Sequence, residues 1–230
     1  MSKITFAKPG NFIYPVPAVL VSCADKAGNN NIITIAWVGT ICSDPPMAYI
    51  SVRKERHSYG MIKEAGDFVI NLPGEDLARA LDYCGCTSGS KIDKFEKMNL
   101  TAEKSVKIKS PAIAEAPISI ECKVKKIMPL GTHDMFIAEV VAVNVDDSYI
   151  DEKGTFHMDD VRLLAYSHGT YYSLGKKQGT FGWAVRKKKK AAAKNTAIIS
   201  KKKAIDKEIK KNHKAVKIKM NKNHNHKNKK

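Results

Sequence analysis

Three clusters of polar side chains carry the chemistry this chain could perform. In the first, Asn31, Thr34 and Trp37 follow one another at intervals of three, Ser51 and Arg53 close a later apolar run, and His57 and Ser58 begin the segment after it. Hydroxyls, a guanidinium and the start of a helix are what a phosphate dianion requires, because free N–H groups and the helix dipole add to the arginine charge. The second cluster, Thr87-Ser88-Gly89-Ser90-Lys91-Ile92-Asp93-Lys94-Phe95, supplies hydroxyls at Ser88 and Ser90 and ammonium groups at Lys91 and Lys94. The third, Gly131-Thr132-His133-Asp134-Met135-Phe136, presents the imidazole of His133. Taken singly, each has a bland explanation: an arginine at a strand end is ordinarily solvated, and a lone histidine is ordinarily a turn residue with its hydrogen bonds satisfied.

Other patterns fall short of a site. Gly169 to Lys176 is one residue too long for a P-loop and lacks the Ser or Thr after the lysine. Gly85 and Gly89 lie four apart without the dinucleotide fingerprint. His157, Asp159 and Asp160 are metal-ligand types on a polar turn, where solvation is the simpler reading, so no metal site is expected. Cys84-Gly85-Cys86 lacks the C-x-x-C spacing of redox pairs and reads as two ordinary thiols.

The elements that must position these clusters are mostly strands. Ala18 to Cys23 is apolar and partly β-branched, Asp25 to Asn31 supplies turn residues, and Ile32 to Val38 resumes the run. Met47 to Arg53 predicts a third strand, Arg56 to Ala65 a helix closed by Gly66, and Phe68 to Leu72 a fourth strand. Glu75 to Tyr83 predicts a short helix with Leu77, Ala80 and Leu81 as its stripe. Ile118 to Lys125 alternates strictly, the pattern of a strand with one face buried and one wet. Ile137, Glu139, Val141, Val143 and Val145 share one face of a long strand whose other face carries Ala138, Val140 and Ala142, so both faces need cover. Leu163 to Tyr166 closes the series. Hairpin spacing with short helices in the connections favours an antiparallel barrel over a doubly wound sheet.

Composition narrows the class further. The 230 residues, 43% hydrophobic and 27% charged, are those of a globular chain, which excludes wholesale disorder, a collagen repeat and a disulfide mini-protein. Of 40 Lys and Arg and 23 Asp and Glu, residues 186–230 hold 19 basic and two acidic residues, so that segment carries 19 − 2 = +17 and residues 1–185 carry 21 − 21 = 0. The basic balance therefore belongs to a Lys-rich tail, read as disordered or as a basic amphipathic helix from about Thr196 to Lys219, and suited to nucleic acid or an anionic surface. Five cysteines at no framework spacing read as reduced thiols of a cytoplasmic chain, and no stretch predicts a membrane span.

The ordered series N-x-x-T-x-x-W at Asn31 to Trp37, S-V-R-x-x-R-H-S at Ser51 to Ser58, S-G-S-K-x-D-K-F at Ser88 to Phe95, G-T-H-x-x-F-x-x-E-V at Gly131 to Val140 and L-L-A-Y-x-x-G-x-Y-Y at Leu163 to Tyr172 resembles the flavin reductase-like family, and within it the flavoredoxins, across residues 5–180. The resemblance implies a mainly β fold over residues 1–185: an antiparallel, Greek-key-like FMN-binding split β-barrel with short peripheral helices. It further implies a homodimer with one non-covalent FMN per subunit, and electrons supplied by NADH, NADPH or a redox protein. By position, Asn31, Trp37, Ser58, Lys94, His133 and Tyr166 would surround the ring and ribityl chain, and Thr34, Ser51, Arg53, His57 and Ser90 would lie nearer the ribityl and phosphate. Trp37 and Tyr166 would wall the fused ring, Lys94 would set the field near N1 and O2, and His133 would orient a nicotinamide. Ala138 stands where the flavin reductases of two-component oxygenases often have Gly, and a methyl narrowing the groove would tilt the chain toward electron transfer. The competing expectations are an NAD(P)H:flavin reductase that releases reduced flavin to an oxygenase, and an FMN-binding protein tethered to nucleic acid by its tail.

Overall fold

The computed structural model describes residues 1–186 and Lys207. The chain divides into compact units at 1–176 and 177–230, ahead of the change in composition at 185. In the second unit a short 3-10 turn, Trp183–Val185, is described. The expected tail helix lies, apart from Lys207, outside the described residues.

The first unit is built on strands β1 (Val16–Pro17), β2 (Val19–Ala24), β3 (Asn30–Ile35), β4 (Val38–Ser43), β5 (Pro46–Arg53), β6 (Asp67–Leu72), β7 (Ala102–Glu103), β8 (Ala112–Ile113), β9 (Ile118–Pro129), β10 (His133–Val145), β11 (Leu164–Ser167) and β12 (Thr170–Ser173). Helices α1 (His57–Ala65), α2 (Ala78–Cys86) and α3 (Lys94–Met98) fill the connections. Seven strands form one antiparallel sheet in the order β3-β2-β6-β9-β10-β5-β4, and β1-β11-β12 and β7-β8 form two small ones. The edge strands β3 and β4 are consecutive in the chain and are joined by Ala36-Trp37. The sheet is therefore open between them, and the Trp37 carbonyl accepts the Ser51 N–H at 2.8 Å beside the opening.

The apolar patterns follow from what covers each face. Val21, Ile33, Ile50, Val52, Phe68 and Phe136 fill the interior with Ala138. Leu20 and Ile32, pointing the other way, are covered by Leu81 and Cys84 of α2, Phe95 of α3 and Ile113. With both faces buried, β2 is apolar on both apart from Ser22. A buried polar node joins the layers. The Asn71 amide donates to Leu20 O at 3.0 Å and Ser22 Oγ at 2.9 Å, and its oxygen accepts from Ile113 N at 3.0 Å and Ser119 Oγ at 2.8 Å.

Several sequence expectations change here. The run Ile32 to Val38 is two strands, because the chain must leave one edge of the barrel and enter the other at Ala36-Trp37. The helix expected to stop at Tyr83 opens as a 3-10 turn, Glu75–Leu77, and continues to Cys86. α3 carries too short a stripe to announce itself, although Asp93 caps it by accepting from Phe95 N and Glu96 N. Gly66 ends α1 in the left-handed conformation at φ 75°, as its place after the last apolar residue predicts.

Candidate functional site

A cleft of about 320 Å³ opens where the barrel is split. Its floor is Ile33 to Trp37, one wall is Ser51 to Arg53 with His133, and the other is Gly85 and Cys86 at the end of α2 with Tyr14, Tyr166 and Tyr171. A smaller cleft of about 140 Å³ lies under the N-terminus of α1, among Asn31, Arg56, His57, Ser58, Ser88 and Lys94. Both clefts are lined by Ile33, Arg56 and Gly85, so they adjoin. Of the residues singled out in sequence, Thr34, Trp37, Ser51, Arg53, His133 and Tyr166 line the larger cleft, and Asn31, His57, Ser58 and Lys94 the smaller. Ser90 lines neither. It is exposed, its hydroxyl lies 2.9 Å from that of Ser88, and it borders a depression with Asn29, Asn30 and Lys91.

The two ends of this trough differ in chemistry. At the open end the rings are clustered: Tyr14 stands 6.2 Å from Trp37 and 6.1 Å from Tyr166, and Tyr166 is 5.6 Å from Tyr171. That wall suits a flat conjugated ring. Burial and then the nearby Asp82 push the Tyr171 phenol up to about 12, so it remains a neutral hydroxyl. At the other end α1 begins with no side-chain cap and no acid in its first turn, and its N-cap is Arg56. Free N–H groups, the helix dipole, Arg56 and the hydroxyl of Ser58 favour an anion there. Arg53 is partly matched by Glu55, 3.3 Å away on the surface.

Close approach of the backbone lets the smaller cleft form. A Cβ on Gly89 would fall 2.1 Å from Asn31 Oδ1, so the Ser88–Ser90 loop can lie on Asn31 only because that position has no side chain. Asn31 is held in turn by donating to Ser58 Oγ at 2.7 Å. A Cβ on Gly85 would come 3.2 Å from the Thr34 side chain, whose hydroxyl donates to Leu81 O.

Two expectations are redrawn by these contacts. The Lys94 ammonium is buried and donates to Ile32 O at 2.7 Å and Cys84 O at 2.8 Å, tying β3 to α2. Burial is the main cause that lowers its pKa, and neighbouring Arg56 adds to it. Ala138 is fully buried in the barrel interior opposite Ala48, so its methyl cannot narrow the groove and does not favour electron transfer over flavin release. His133 keeps a place on the cleft wall. Burial, then Arg53 and Arg56, lower its pKa, which favours the neutral imidazole, and Nδ1 lies 2.9 Å from Thr132 Oγ1.

Reasoning from sequence missed Tyr14, Arg56, Cys86 and Tyr171 as cleft residues. Arg56 stood inside the S-V-R-x-x-R-H-S segment, and Tyr171 inside the closing aromatic segment, so a signal for both was present. Tyr14 precedes any recognisable strand and Cys86 lay beyond the expected helix end.

A family model for the flavin reductase like domain matches residues 11–175. The chain belongs to the flavin reductase-like family. Flavoredoxin of Desulfovibrio vulgaris (Miyazaki F) is 30% identical with a TM-score of 0.74, over 80% of this chain and all of that one. Flavoredoxin from Methanosarcina acetivorans is 26% identical with a TM-score of 0.72, over 81% of this chain and all of that one. The reductase component of a 4-nitrophenol 4-monooxygenase/4-nitrocatechol 2-monooxygenase from Rhodococcus opacus is 33% identical over 108 residues, 47% of this chain and 55% of that protein. The fold of this family member is thus a split β-barrel, as expected, and the two clefts described above lie at its opening.

Proposed function

We propose that the chain is a flavin-dependent oxidoreductase of the flavoredoxin kind that binds one FMN non-covalently in the trough at the barrel opening. The observation that carries this reading is the pairing, in two adjoining clefts, of an aromatic wall with a helix N-terminus that has no side-chain cap and no acid in its first turn, Glu55 at the edge of the smaller cleft being paired with Arg53. The ring system would rest against Trp37, Tyr14 and Tyr166, and the phosphate would be held by the α1 N–H groups with Arg56, His57 and Ser58. The absence of side chains at Gly85 and Gly89 supports the fit, because a Cβ at either would push on Thr34 or Asn31. FMN supplies the acceptor and donor of electrons, so the protein's residues hold, orient and shield. Thr132 fixes the His133 ring, and the cations beside it favour its neutral form, leaving it able to hydrogen-bond an incoming donor such as a nicotinamide.

A homodimer fits this reading. The outward face of the β5–β10 pair carries Met135 opposite Ser51, Ile137 opposite Tyr49 and Met47 opposite Glu139, which pairs with Lys125, and it runs into Arg53 and His133 at the cleft. An apolar strip so placed suits a second copy of the chain, with the site close to the interface. The second reading, release of reduced flavin to an oxygenase, draws on the similarity to the Rhodococcus opacus reductase component. A separate role for the tail draws on charge alone: +17 on residues 186–230 against a neutral remainder suits a polyanion such as nucleic acid.

The test is an anaerobic visible spectrum of the purified protein before and after NADH or NADPH, with the released chromophore identified by mass. Bound FMN that bleaches with nicotinamide supports a reductase, and bound FMN that bleaches only with a protein donor supports an electron carrier. Turnover that depends on added free flavin favours the oxygenase-partner reading. A colourless protein that takes up no added FMN overturns the proposal.

A further inference from the structure

Asp134 is the neighbour of His133 on β10 but faces the other way. Alternation along the strand sets His133 opposite Arg53 on the cleft side, and Asp134 opposite Val52 on the interior side, where it is 3% exposed. A carboxylate in that position requires partners, and they come from the element that bears the anion-binding groups. The Tyr59 hydroxyl, in α1, donates to Oδ2 at 2.7 Å. The Lys54 ammonium, in the turn before α1, stands 3.4 Å from Oδ1 as an ion pair without hydrogen-bond geometry, which leaves Oδ1 with no hydrogen-bond partner. The Tyr59 ring meets Phe136 of β10 edge-on at 5.4 Å, and Lys63 Nζ lies 6.0 Å from its centroid. Tyr59 first, then Lys54 and Lys63, hold the Asp134 carboxyl below its usual range, and the same bond raises the Tyr59 phenol, so donor and acceptor keep these roles at neutral pH.

We infer that Asp134 is a positioning residue: from outside both clefts, its hydrogen bond from Tyr59 and its ion pair with Lys54 hold the turn Lys54–Arg56 and the start of α1 at a set distance from His133. The inference rests on reading the trough as a flavin site with its phosphate at α1. Its sign separates it from simple electrostatics. Removing a negative charge beside a cationic site raises the local potential, and by charge alone would tighten anion binding. A positioning role demands the reverse.

The experiment titrates wild type, Asp134→Asn and Tyr59→Phe with FMN and with riboflavin, which lacks the phosphate. The preference for FMN over riboflavin is expected to fall about tenfold in Asp134→Asn, and to fall in the same direction in Tyr59→Phe, which changes no charge at neutral pH and keeps the ring on Phe136. Tighter FMN binding by Asp134→Asn overturns the inference, as does equal weakening of both ligands, which marks general damage, or an unchanged preference in Tyr59→Phe. A wild-type chain that does not distinguish FMN from riboflavin overturns the reading of the site itself, and does so before any variant is measured.

Discussion

Replacing Arg56 by Ala isolates the phosphate end of the proposed site. The side chain is exposed, borders both clefts and makes no capping hydrogen bond, and its backbone is extended at φ −74°, ψ 133°, a conformation alanine adopts without strain. The melting temperature should therefore stay within a degree or so of wild type. A hydrogen bond from a guanidinium to a phosphate contributes about 1.5–3 kcal/mol, and solvent screening at an exposed position brings the expected loss to about 1–2 kcal/mol. FMN should then bind about 5- to 30-fold more weakly, while riboflavin binding is unchanged. Quenching of flavin fluorescence on titration, at low and high salt, measures both, and the FMN difference should shrink at high salt as the charge is screened. Equal losses for FMN and riboflavin, or no loss for either, would refute the placement of the phosphate at α1.

Gly89→Ala puts a methyl 2.1 Å from Asn31 Oδ1, so the loop must shift, with a destabilisation of about 1–3 kcal/mol and weakened flavin binding in thermal melts and titrations; unchanged binding would remove the loop from the site. Arg53→Ala should move the His133 titration upward, because Arg53 is the larger of the two cationic contributions that lower it from its ordinary 6.5. The depressed imidazole means that the unfolded chain takes its proton first as pH falls, so wild type loses a little stability just below 6.5, and the variant should lose less; the His133 imidazole resonance followed by NMR against pH reads the shift, and a static resonance contradicts it. Ending the chain after Val185 removes a net +17 and should leave the FMN content intact while abolishing any salt-sensitive gel shift with nucleic acid; a shift that survives truncation, or one absent from the full chain at low salt, would discard the tail as the polyanion site.

Periodicity and punctuation made much of the architecture legible in the chain. Two-faced apolar runs, the alternation of Ile118 to Lys125, the turn residues of Asp25 to Asn31 and the stop at Gly66 are local properties, and each produced the element expected of it within a few residues, although the face of Ile118 to Lys125 expected to be wet is buried at Ser119 and Glu121, where the Val106 and Lys107 N–H groups donate to the Glu121 carboxylate. The order of the five motif segments pointed to the family because each segment keeps its own spacing. What the chain determined alone is therefore most of the longer strands, their antiparallel class, and ten of the residues that line the two clefts. Which of those residues meet was decided by the tertiary structure, because side-chain contact depends on strand pairing over long separations. The opening between β3 and β4 exists because sheet order places consecutive strands on opposite edges, and nothing in Ile32 to Val38 announces that break. Lys94, expected to set the field near a flavin ring, lines the smaller cleft while donating to two backbone carbonyls from segments 62 and 10 residues away, a contact that only the tertiary structure supplies. Ala138 looked like a groove residue until register turned its methyl inward. Asp134, unremarkable beside His133 in sequence, acquires its partners only when α1 folds across the end of the barrel and delivers Tyr59 from 75 residues away.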